Sequence, residues 1–151
     1  MKAIAFAVAP LLLVSIAAAA QQPVSGSAHV QMLFRNVDTN NDQIITRAEA
    51  MAGAATEFAS LDTNSDGAVD RAELTQTQME EGLSRLPADV ANQIINQSML
   101  TYDGNHDGRI TSEEFQKAAT DMLFSGADLN RDGEVTLAEA RAFFDSPSPQ
   151  K

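Results

Sequence analysis

Beyond its first twenty residues the chain alternates apolar stretches of helical period with short polar stretches rich in Asp, Asn and Glu. Val30, Leu33, Phe34 and Val37 recur at three- and four-residue steps, which predicts a helix over 28–37 with Arg35 and Asn36 turned outward. Ser25 or Ser27 is expected to cap it. Ala50, Ala54, Phe58 and Leu61 form one stripe, so 47–61 is predicted as a single helix that runs through Gly53. Leu74, Met79, Leu83 and Leu86 predict a helix over 71–86, stopped at Pro87, and Val90, Ile94, Ile95, Met99 and Tyr102 predict the next over 87–102. Phe115, Ala119, Met122, Leu123 and Phe124 mark a helix over 112–127, and Ala140, Phe143 and Phe144 close the core from a last one. The fold class expected from this pattern is all-α, with about six helices.

The polar stretches between these helices share one pattern. Asp62 to Glu73 reads DTNSDGAVDRAE, with oxygen-bearing side chains at the first, third, fifth, ninth and twelfth places and Gly67 at the sixth. Asp38 to Glu49 reads DTNNDQIITRAE, Asp103 to Glu114 reads DGNHDGRITSEE, and Asp128 to Glu139 reads DLNRDGEVTLAE. A calcium ion takes six to eight oxygens at about 2.3–2.6 Å, and a short loop wraps it only by turning sharply midway. Glycine allows that turn because it reaches positive φ without a Cβ clash. Magnesium competes poorly, because it resists dehydration and disfavours a seventh ligand.

These four stretches, called loops one to four, resemble the calcium loops of the EF-hand family, D-x-[DN]-x-[DN]-G-x5-E. The resemblance covers most of the chain after residue 20 and extends to exported, multi-loop bacterial proteins of that family. It implies Ca2+ as the cofactor and assigns the ligands by position. In loop one they are Asp38, Asn40, Asp42, the carbonyl of Ile44, Thr46 and Glu49. In loop two they are Asp62, Asn64, Asp66, the carbonyl of Ala68, Asp70 and Glu73. Loop three supplies Asp103, Asn105, Asp107, Arg109 through its carbonyl alone, Thr111 and Glu114. Loop four supplies Asp128, Asn130, Asp132, Glu134, Thr136 and Glu139. Loop one departs from the family with Gln43 at the sixth place, so it is expected to be the weakest site.

The spacing of the loops constrains how they pair. Twelve residues separate Glu49 from Asp62, enough for one helix shared by both loops but not for two helices and a linker. Such a helix of about 18–22 Å holds loops one and two at its opposite ends. The 29 residues between Glu73 and Asp103 leave room for a helix–turn–helix. Loop starts are separated by 24, 41 and 25 residues, a nearly palindromic series. The expectation is a two-fold arrangement in which loops two and three pair at one end and loops one and four at the other. The eighth residues, Ile45, Val69, Ile110 and Val135, are all β-branched, as partners in short two-stranded ribbons should be.

Composition sharpens the picture. The chain has 151 residues, 44% of them hydrophobic, which suits one folded domain with a modest core. Its net charge is −11, and 13 of its 21 acidic residues place their carboxylates at side-chain ligand places of the loops, so the acidity is largely that of the sites. An acidic surface argues against nucleic acid and anionic membranes as partners. With no cysteine, disulfides and thiolate chemistry are absent. His29 and His106 are both read as surface histidines, and no nucleophile–base set stands out, so an enzyme is not expected.

Met1-Lys2, the apolar run Ala3 to Ala17 and the small residues Ala18-Ala19-Ala20 predict a secretory signal peptide over 1–20, cut after Ala20. The competing reading of that run is an uncleaved membrane anchor. The domain is then 21–145 and the tail 146–151, with a periplasmic or secreted location and no membrane contact after cleavage. The role expected is a calcium buffer or a calcium-stabilised structural or adaptor module. The alternative is a sensor that shows a Met-containing groove to a protein target, drawing on Met32, Met51, Met79, Met99 and Met122, which otherwise fill core gaps.

Overall fold

The computed structural model describes residues 26–80 and 87–145; the expected signal peptide, Leu83, Leu86 and the tail lie outside them. Along the described chain the elements are α1 (Gly26–Val37), β1 (Ile44–Thr46), α2 (Arg47–Leu61), β2 (Ala68–Asp70), α3 (Arg71–Glu80), α4 (Ala88–Tyr102), β3 (Arg109–Thr111), α5 (Ser112–Ala127), β4 (Glu134–Thr136) and α6 (Leu137–Asp145). Helix α1 starts at Gly26, so Ser27 lies within it, while Ser25, the other expected cap, lies outside the described residues. Helix α2 runs unbroken through Gly53.

Local chemistry starts three of these helices in the same way. At α2, the Thr46 hydroxyl accepts from the Glu49 N–H while the Glu49 carboxylate accepts from the Thr46 N–H, a reciprocal capping box. Thr111 and Glu114 repeat it at α5, and Thr136 and Glu139 at α6. The ninth and twelfth loop residues therefore have a structural task besides their expected ligand role.

The strands pair as the loop spacing implied. Ribbon β1–β4 is antiparallel with Ile45 opposite Val135, and ribbon β2–β3 is antiparallel with Val69 opposite Ile110. All four of these central residues are fully buried. A further backbone bond, from the Leu137 N–H to the Gln43 carbonyl at 3.1 Å, ties loop one to the start of α6.

Two large apolar clusters result, one beneath each ribbon, besides a small one of Ala91 and Ile94 on α4. The first joins Val30, Leu33, Phe34 and Val37 of α1 to Ile45, Val135, Leu123 and Phe124. The second joins Phe58, Val69, Leu74, Ile95, Tyr102, Ile110 and Phe115. Helices α2 and α5 pack along each other and feed both: Ala50 goes to the first cluster, and Ala54 and Phe58 to the second. Helix α2 is the shared helix that the twelve-residue gap required, α5 is its counterpart between loops three and four, and together they make one domain of two loop pairs. Where α5 meets α6, Gly126 admits the Phe143 ring, which a Cβ would meet at 2.9 Å.

Not every apolar residue goes inside. Met32 and Met51 are 49% and 45% exposed, so they do not fill core gaps, whereas Met99 and Met122 pack against the two clusters. His29 is half-buried and stacks on Phe144 with ring centroids 6.3 Å apart, so it is not the plain surface histidine expected. Among the described residues no helix is long and apolar enough to cross a membrane.

Candidate metal centres

Each loop is wired by one set of hydrogen bonds. The first-place aspartate accepts, through Oδ2, from the sixth-place N–H: Asp38 from Gln43, Asp62 from Gly67, Asp103 from Gly108 and Asp128 from Gly133, at 2.9–3.1 Å. The third-place asparagine Oδ1 accepts from the fifth-place N–H: Asn40 from Asp42, Asn64 from Asp66, Asn105 from Asp107 and Asn130 from Asp132. The fifth-place aspartate accepts from the seventh-place N–H of Ile44, Ala68, Arg109 or Glu134. The twelfth-place glutamate accepts through Oε2 from the ninth-place N–H: Glu49 from Thr46, Glu73 from Asp70, Glu114 from Thr111 and Glu139 from Thr136. Its Oε1 reaches back to the second or third residue, as in Glu73 to Asn64 N at 3.1 Å. A carboxylate is acceptor-only with about four lone-pair sites, so these bonds orient the oxygens without saturating them.

The turn itself demands unusual backbone. Gly67, Gly108 and Gly133 stand at φ of 88°, 88° and 87°, and Gln43 at 67°. The left-handed region costs a side-chain-bearing residue roughly 1–2 kcal/mol. The added backbone entropy of glycine in the unfolded chain cancels part of any gain from removing that cost. Gln43→Gly should therefore stabilise the calcium-free chain by about 0.5–1 kcal/mol and raise its melting temperature by a few degrees. A thermal melt reading no increase would show that loop one carries no strain. No residue type along the loops signals a second such position. Asn41, Ser65, His106 and Arg131, the fourth loop residues, all have φ of 58–63°.

Loop four offers the sharpest test of whether a cation fits. Asp128 Oδ1 is buried and has no hydrogen-bond partner. Its counterparts do: Asp38, Asp62 and Asp103 accept at Oδ1 from the fifth-place N–H at 3.1–3.2 Å. A buried carboxylate oxygen without a donor is costly, and a cation at the loop centre supplies what is missing. The donors are carboxylate, amide, hydroxyl and carbonyl oxygens, the set a hard cation such as Ca2+ prefers. Among the described residues, no three Asp, Glu or His side chains make a metal cage by themselves. A shell of this kind also draws on the asparagine oxygen and the seventh-place carbonyl.

Hydrogen bonding holds several of these carboxyls below their ordinary values. The Thr46 N–H does so for Glu49 and the Thr111 N–H for Glu114, while the Thr136 hydroxyl is the main cause for Glu139. A carboxyl lowered in the folded state stabilises above its unfolded value of about 4.3 and ceases to do so as the pH falls through the folded value. Calcium needs the same ionised groups. In millimolar calcium the melting temperature should hold steady from pH 7 to about 5 and fall below about 4.5. A flat profile down to pH 3 would contradict the assignment.

All 24 sequence-derived ligand residues fall in the described chain. Arg109 makes a contact beyond its expected carbonyl role. Its side chain is not idle: Nη2 donates to Asp66 Oδ1 of loop two at 2.7 Å. That contact spans 43 residues and left no trace in either loop's own pattern. The capping boxes, by contrast, were readable as Thr-x-x-Glu in loops one, three and four.

A family model described as EF hand matches residues 55–76 and 96–119, which contain loops two and three. No curated protein and no solved structure matches the chain.

Proposed function

The chain belongs to the EF-hand calcium-binding family, and from that premise we propose that all four loops bind Ca2+. EF-hand domains bind Ca2+, and the family points to a calcium-binding, non-catalytic protein. The observation that carries the four-site reading is the repetition of one hydrogen-bond set in loops one and four, outside the matched segments, as well as in loops two and three. Asp38, Asp62, Asp103 and Asp128 would anchor the ion, and Glu49, Glu73, Glu114 and Glu139 would close its shell from the first turn of the following helix. Loop one is the weakest of the four because Gln43 holds the place of a glycine.

The role proposed is an exported calcium buffer or calcium-stabilised structural or adaptor module. Export rests on the signal-like residues 1–20 alone. Calorimetric titration of the chain from Gln21 onward tests the reading: four equivalents of calcium, one of them weaker, are expected. Two equivalents would restrict function to the pair of loops two and three.

The exposure of Met32 and Met51 favours a second reading, a sensor whose apolar surface meets a protein target. A dye for apolar surface discriminates the two. Fluorescence that does not rise with calcium removes the sensor.

A further inference from the structure

The two ribbons are alike in backbone but opposite in charge at one place. In β2–β3 the seventh residue of loop three is Arg109, facing Asp70 across the ribbon. In β1–β4 the seventh residue of loop four is Glu134, facing Thr46. Arg109 extends past its partner strand to the fifth-place carboxylate of loop two, Asp66, on an exposed ion pair. The Asp66 oxygen it holds, Oδ1, also accepts from the Ala68 N–H at 3.1 Å. The third-place asparagine is a neutral neighbour of the fifth-place aspartate in every loop, and Asp66 has the Arg109 cation in addition. The amides of Asn40, Asn105 and Asn130 donate to Asp42, Asp107 and Asp132 at 2.8–3.1 Å.

We propose that Arg109 is a tethered cation that sets the calcium affinity of loop two: its guanidinium occupies Asp66 when the ion is absent and must be displaced when the ion binds. This rests on the calcium-binding reading above. A divalent ion beside Asp66 and a guanidinium within hydrogen-bond reach of the same carboxylate repel each other, and the entering ion must also break the existing pair. The same contact offsets part of the four-carboxylate repulsion of loop two without calcium. Arg109 thus stabilises the calcium-free state and opposes the calcium-bound one. The loop-three site keeps the Arg109 carbonyl whatever the side chain, so the device belongs to loop three in sequence and to loop two in effect.

Calorimetric titration of Arg109→Gln and Arg109→Lys tests it. Arg109→Gln should tighten one stepwise calcium constant about three- to tenfold, a range set by an exposed charge pair and a nearby divalent ion. In chelator the same variant should melt slightly lower than the unaltered chain. Arg109→Lys, which keeps the charge, should stay within about twofold of the unaltered chain. The gain should vanish in a Glu73→Gln background, where loop two is silenced. A gain that persists there places the effect on loop three and overturns the proposal, as do unchanged constants in Arg109→Gln. If the unaltered chain itself takes up no calcium, the functional reading fails; if it binds and Arg109→Gln binds alike, the inference about Arg109 alone fails.

Discussion

The chain from Gln21 onward is expected to melt at least about 10 °C higher in 1 mM calcium than in chelator. Each loop places three or four carboxylates within twelve residues, and the hydrogen bonds that orient them do not remove their charge. Without a cation they repel. An ion that binds only the folded chain stabilises it by mass action, about 2.7 kcal/mol per site when it is present at about 100 times the dissociation constant. Two such sites contribute about 5 kcal/mol, and a domain of this size shifts by roughly 2–4 °C per kcal/mol. Because α2 and α5 belong to both clusters, the two loop pairs should melt together rather than in two steps. Scanning calorimetry reads both quantities. Equal melting temperatures in chelator and calcium would refute calcium binding by the folded chain, and two separated transitions would refute the coupling.

Phe115→Ala should be the most damaging apolar truncation of the second cluster. Phe115 is 3% exposed and lies with ring centroids 4.8 Å from Tyr102 and 6.0 Å from Phe58, which joins α5, α4 and α2. Removing a buried phenyl group costs about 3–5 kcal/mol, here a loss of about 10 °C or more in calcium. Leu100→Ala is the control: at 66% exposed it should change stability by less than about 0.5 kcal/mol. Denaturant titration measures both, and a Phe115→Ala cost below about 1 kcal/mol would mean the cluster is not tightly packed. Loss of Phe115 should also weaken calcium binding at loops two and three, since the Ile110 strand rests on the same cluster.

How much was legible varies with the range over which each feature is decided. Val30, Leu33, Phe34 and Val37 announced a helix because their neighbours along one face are three and four residues away. The loops were legible for the same reason. Asp38 and Gln43, or Thr46 and Glu49, satisfy each other within one turn of chain, whatever the rest of the protein does. Pairing of loop one with loop four, 90 residues on, could be inferred because the twelve-residue gap after Glu49 excludes the nearer partner. The exposure of Met32 and Met51 was not legible, since a methionine on a helix has the same local signature inside and outside.

The order of oxygens, glycines and apolar stripes along the chain thus determined the helices, the hydrogen-bond wiring within each loop and the partner of each loop, because short-range sterics and chain length settle all three. Only the tertiary structure decided that Arg109 rests on Asp66, that Asp128 Oδ1 is buried without a donor, and that α2 and α5 merge two clusters into one domain. Those outcomes depend on where distant side chains come to rest when the ribbons form, and no local spacing encodes that position.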